Sequence, residues 1–167
     1  MSDRLVGSEM CIRDSVIANG GVDGGTAGWG FYPDNGGVSV IVSGDTLLAE
    51  AGGDTVLFAA SVGDSALVIP ELATSGAENN AFFTYTGDNA LPVGTQFIAS
   101  AHVHPGLAAT TGSAVLFAKY FGAGYAWIGM DSESVDVSAL SMGWNPMEIF
   151  ANVPAGAEIV QVGVMYV

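Results

Sequence analysis

Basic side chains are almost missing from this chain: Arg4, Arg13 and Lys119 face seventeen carboxylates, for a formal charge of −14. With so few cations to neutralise phosphates, nucleic-acid binding is excluded and anionic lipid is repelled. Cysteine is equally scarce. Cys11 stands alone, so no internal disulfide can form, and cysteine usage carries no information on redox compartment. Long apolar runs are lacking too; the stretches present are short and broken by Gly, Asp, Asn or Ser. They fall well below the ~20 residues of a membrane-spanning helix, so no membrane insertion is expected. Helical periodicity is sparse. Residues 66–73 and 135–142 could hold a turn or two, and neither sustains a 3.6-residue repeat.

What is present points to β-structure. Half of the 167 residues are apolar and 12% are charged, the composition of one domain with a real core rather than a disordered chain. Twenty-four glycines cluster in turn signals such as Asn19-Gly20-Gly21, Asp34-Asn35-Gly36-Gly37, Gly87-Asp88-Asn89 and Gly122-Ala123-Gly124. Between them lie short segments rich in β-branched and aromatic residues. These predict strands near 16–18, 28–32, 38–43, 46–50, 55–60, 66–69, 81–86, 95–104, 113–121, 125–129, 133–137, 147–153 and 158–166. In 95–104, Phe97, Ala99, Ala101 and Val103 share one face, and Gln96, Ile98, Ser100, His102 and His104 the other. In 158–166, Val160, Val162, Val164 and Tyr166 oppose Ile159, Gln161, Gly163 and Met165. The expected fold is all-β, an antiparallel β-sandwich in one domain.

Two resemblances organise the domain boundaries. Leu5-Val6-Gly7-Ser8-Glu9-Met10-Cys11-Ile12-Arg13-Asp14-Ser15 resembles the in-frame translation of a transposon-type sequencing adapter, so residues 1–15 are set aside as a non-native segment. Lys119 is then the only base in 16–167. Within that domain, Ile17-Ala18-Asn19-Gly20-Gly21-Val22-Asp23-Gly24-Gly25-Thr26-Ala27-Gly28-Trp29 resembles the opening of carbohydrate-binding modules of the family 4/9/22 type. Gly94–Val103, Ala114–Phe121, Trp144 and Val153-Pro154-Ala155-Gly156-Ala157 are similar to later family motifs. The opening pair departs from the pattern: Val22 replaces the aromatic and Asp23 the usual Glu. The resemblance implies a galactose-binding-like jelly roll whose final acidic strand would follow Val167.

That resemblance also implies a structural calcium at Asp23, an acid that would join backbone carbonyls; a lone Asp in a Gly-rich turn equally serves as an Asx-turn former. The residues themselves suggest other chemistry. Tyr125 and Trp127, two apart on a predicted strand, project from one face, as rings must to stack on the apolar face of a sugar. His102, His104 and Gln161 could supply polar contacts to hydroxyls. His102 and His104 also have metal-ligand spacing, but a tetrahedral zinc site needs two further ligands, no Cys or His partner exists in 16–167, and only a distant carboxylate could complete it. Trp29 and Trp144 read as core anchors. Catalytic residues are not expected: there is no Gly-x-Ser-x-Gly elbow, and Asp131, Glu133 and Asp136 read as a solvated edge.

The sequence therefore predicts a non-catalytic carbohydrate-binding module, with polysaccharide as partner, attached to neighbouring domains of a larger secreted or cell-surface protein. The alternative is a structural jelly-roll domain of a phage virion, tail fibre or surface layer, in which the same aromatics would be buried between protomers of a homo-oligomer.

Overall fold

A computed structural model describes residues 28–33, 39–42, 46–48, 55–57, 65–69, 78–105, 111–141 and 143–167. Asp23 and the predicted strand at 16–18 lie outside these residues. Eleven strands are described: β1 (Gly30–Tyr32), β2 (Ser39–Val42), β3 (Thr46–Leu48), β4 (Thr55–Leu57), β5 (Ser65–Val68), β6 (Asn79–Tyr85), β7 (Gln96–Val103), β8 (Ser113–Phe121), β9 (Trp127–Asp136), β10 (Asn145–Asn152) and β11 (Ile159–Tyr166). All the ladders are antiparallel, as expected. A five-stranded sheet runs β1-β6-β11-β8-β9, and β10 pairs with β7 in a second sheet; β2 with β5 and β3 with β4 form two further pairs. Among the described residues no helix is long and apolar enough to cross a membrane.

The core lies between the five-stranded sheet and the β7–β10 pair. Alternation puts Leu116, Ala118 and Tyr120 of β8 and Val160 and Val162 of β11 on one wall. Ala99 of β7 and Met147, Ile149 and Ala151 of β10 form the other. Fully burying a Val, Ile or Met side chain contributes about 1.5–3 kcal/mol, so this interlock is the main cohesion of the sandwich. The opposite face of the five-stranded sheet is apolar too: Val115, Phe117 and Met165 form a second buried cluster with Phe82 packed on it. Hence β11 is buried on both faces rather than one. Gly163 permits the close fit there, since a Cβ at that position would collide with the Ala81 carbonyl oxygen.

Two expectations needed correction. The predicted segments 125–129 and 133–137 are joined, from Trp127 to Asp136, in one strand, β9, which runs unbroken through Met130, Asp131 and Ser132 in register with Lys119, Ala118 and Phe117. Nor are the acids of β9 simply solvated. Asp131 and Glu133 point toward β10, where Asp131 Oδ2 accepts from the Asn152 N–H at 3.3 Å and Glu133 Oε2 from the Glu148 N–H at 2.8 Å. Where the backbone ladders stop, carboxylates of one edge strand satisfy N–H groups of the other, which joins the two sheets along that side. Asp136 instead accepts from the Ser138 N–H and hydroxyl at 2.8 and 2.7 Å, capping the 3-10 turn at Val137–Ala139.

Candidate functional site

The β8–β9 hairpin turns through Gly124 and Tyr125, both at φ 64°. Two central residues of positive φ are the mark of a type I′ turn, whose twist matches that of the flanking strands. The Ala126 N–H donates to the Ala123 carbonyl at 3.3 Å and closes the turn, and the Gly122 N–H donates to the Ala126 carbonyl at 2.8 Å just outside it. Gly124 accepts this conformation freely. Tyr125 does not: a side chain in the left-handed region costs roughly 1–2 kcal/mol, and such strain concentrates at functional positions. Tyr125 therefore sits on the turn rather than on a strand, while Trp127 opens β9.

Both rings nevertheless meet on Phe121, the last residue of β8. The centroid of Tyr125 lies 5.7 Å from that of Phe121 with planes tilted 60°, and Trp127 lies at 5.5 Å, edge-on at 73°. These separations fall in the favourable range for aromatic pairs. Tyr125 and Trp127 are each 58% exposed. Phe121 thus acts as a half-buried footing that fixes two solvent-facing rings. Sequence reading missed it, although its place four residues before Tyr125 at a strand end was a usable signal.

The polar candidates are dispersed. Gln161 is half-buried on β11, in register with Lys119 and Thr84 on the outer face of the five-stranded sheet. That face also carries Phe121 and its two rings. His102 is exposed on β7, opposite Pro146 of β10, on the outer face of the other sheet. The sandwich core separates it from Tyr125 and Trp127. His104 lies one residue beyond the end of β7. Its ring stands edge-on to Trp144 at 5.6 Å, and burial pushes its pKa below the usual imidazole value, favouring the neutral form. Among the described residues no group of three or more His, Cys, Asp or Glu side chains could hold a metal ion. Trp29 and Trp144 are half-buried, and Trp29 packs on Phe83 at 4.5 Å.

Lys119 is locked. Its ammonium lies 2.8 Å from Glu78 Oε2 and 4.7 Å above the Phe117 ring, and its hydrogen bond holds the Glu78 carboxyl below the usual carboxylate pKa. The exposed surface of the described residues therefore offers no free lysine or arginine. Phe150 was not anticipated: it is 76% exposed on β10, beside Ile98 of β7 at 58%.

No protein-family model matches the chain, and no curated protein matches it. Among solved structures, it is similar in fold to the enzymatically active domain of tailspike protein 4 from bacteriophage CBA120. The TM-score is 0.52 at 16% sequence identity, over 90% of this chain and 19% of that one. At that identity the likeness is one of fold, and the chain spans about a fifth of the tailspike chain it matches.

Proposed function

We propose that this domain is a non-catalytic carbohydrate-binding module of galactose-binding-like jelly-roll type, and that Tyr125 and Trp127 stack on polysaccharide. One observation carries the reading: a strained hairpin holds two rings in solvent on a third, Phe121, with Tyr125 and Trp127 each 58% exposed. Fixed rings lose little entropy when a sugar docks, and the pyranose C–H face replaces water over them. Gln161 is the polar candidate on the same face. Binding without catalysis is supported by the engagement of Asp131 and Glu133, whose oxygens already accept bonds from Tyr120 and from the β10 backbone. Affinity electrophoresis through gels containing neutral glucan or xylan tests the reading. Retardation that falls when Tyr125 and Trp127 are replaced supports it; free migration through a broad polysaccharide panel refutes it.

A second reading draws on the fold likeness to part of a phage tailspike: a structural domain of a virion, tail fibre or surface layer. In that case the rings would be covered by a neighbouring protomer. Light scattering decides between them, because this reading requires a defined oligomer that Trp127→Ala dissociates. In either case the domain would belong to a larger extracellular, cell-surface or virion protein. A calcium ion at Asp23 remains part of the proposal.

A further inference from the structure

The outer face of the β7–β10 sheet holds the most exposed ring among the large exposed apolar residues described. Phe150 is 76% exposed and its cross-strand partner Ile98 58%. Side chains directly opposed across two antiparallel strands stand about 5 Å apart, so the pair makes one apolar step. Two such groups left in water forgo the hydrophobic stabilisation that burial would bring. The rows beside the step are polar: Gln96 opposite Asn152 on one side, Ser100 opposite Glu148 on the other, then His102 opposite Pro146. A shallow, open depression runs between Gln96, Ile98, Phe150 and Asn152. From Gln96 to His102 the strip measures about 20 Å at the usual rise per strand residue.

We infer that this strip is a second glycan-binding site, for an uncharged sugar chain, and that the domain is bivalent. The inference rests on the carbohydrate-binding reading and extends it to a surface no hairpin ring can reach, since the core lies between the two outer faces. The chemistry fits the ligand. A ring with its face in water takes the C–H side of a sugar, and two carboxamides beside it donate to and accept from hydroxyls. An apolar protein partner would leave those carboxamides buried and unpaired. Charge narrows the class further. The strip carries Glu148 and no lysine or arginine, while Lys119, the only lysine or arginine among the described residues, is paired with Glu78 on the other sheet. A uronate or sulfate would meet repulsion without compensation.

The test is affinity electrophoresis of the full chain in gels of neutral glucan or xylan. It compares Phe150→Ala, Phe150→Tyr, Tyr125→Gly with Trp127→Ala, and the combination of all sites. Loss of either surface is expected to weaken retardation about tenfold and the combination to abolish it, while Phe150→Tyr keeps its ring and migrates as wild type. The wild-type protein should cross-link soluble polysaccharide into precipitate, and neither single-surface variant should. If Phe150→Ala behaves as wild type while the hairpin variant loses binding, the second site is refuted and the first stands. If no polysaccharide retards the wild type, both fall. A dimer that Phe150→Ala dissociates would assign the strip to a second copy of the chain and overturn the inference. Circular dichroism showing an unchanged β spectrum for each variant excludes misfolding as the cause.

Discussion

The Tyr120 hydroxyl donates to the Asp131 carboxylate at 2.7 Å, and the same oxygen accepts the Asn152 N–H at 3.3 Å. One side chain of an edge strand thereby ties a core residue of its own sheet to the backbone of the other. Burial, then the Asp131 bond, pushes the Tyr120 pKa well above the usual phenol value, so the hydroxyl remains a donor at any physiological pH. Tyr120→Phe removes one bond and should cost about 1 kcal/mol. Asp131→Ala strands two donors and should cost about 2–3 kcal/mol, lowering the melting temperature by roughly 5–10 °C. Calorimetry of both variants and the double variant should show a positive coupling between them; strict additivity would mean the triad does not act as a unit.

The ion pair of Glu78 and Lys119 makes a pH-dependent contribution with a defined sign. The Glu78 carboxyl is held below its ordinary value of 4.5, first by the Lys119 hydrogen bond. A depressed folded-state pKa stabilises the protein above the unfolded value, and that stability is lost as pH falls through the folded one. Glu78→Gln should therefore cost about 1–2 kcal/mol near neutrality, limited by the partial exposure of Glu78. The two stability curves should converge in acid. A difference that persists unchanged at low pH would show that the pair contributes nothing through charge.

Tyr125→Gly separates stability from binding. Glycine accepts the left-handed turn position at no steric cost, which offsets the lost contact with Phe121, so thermal stability should stay within about 1 kcal/mol of wild type. Affinity for neutral polysaccharide should fall about tenfold, the equivalent of about 1.4 kcal/mol. A variant that melts much earlier would show Tyr125 to be a structural residue.

How far the sequence disclosed these features depended on whether the determining contact was local. The alternation in 95–104 and the turn at Gly122-Ala123-Gly124 are local properties, and β7 and the β8–β9 hairpin stand where they predict. The unbroken course of β9 was hidden because Asp131 looks like a strand breaker until its partners are known, and those lie 11 and 21 residues away. The exposure of Phe150 was equally hidden. Ile149 and Phe150 are adjacent and both apolar, and only the pairing of β10 with β7 decides which one enters the core. Lys119 was visible as the lone base of the domain, but its partner was not, because Glu78 lies 41 residues away.

Charge selectivity should follow from the same pairing. With Lys119 engaged and a net charge of −14, polyuronate or sulfated polysaccharide should retard the protein less than a neutral polymer of equal concentration. The gap should narrow as added salt screens the repulsion. Preferential retention by the anionic polymer at low salt would contradict this.

Tryptophan emission tests the aromatic binding surface most directly, because Trp127 is the tryptophan placed in water at the hairpin. Titration of the wild-type protein with soluble neutral polysaccharide should shift its emission to the blue as the indole is covered, and Trp127→Phe should abolish the shift. An emission spectrum unmoved at saturating polysaccharide, or an identical shift in Trp127→Phe, would contradict the assignment of the hairpin rings as a sugar-binding surface.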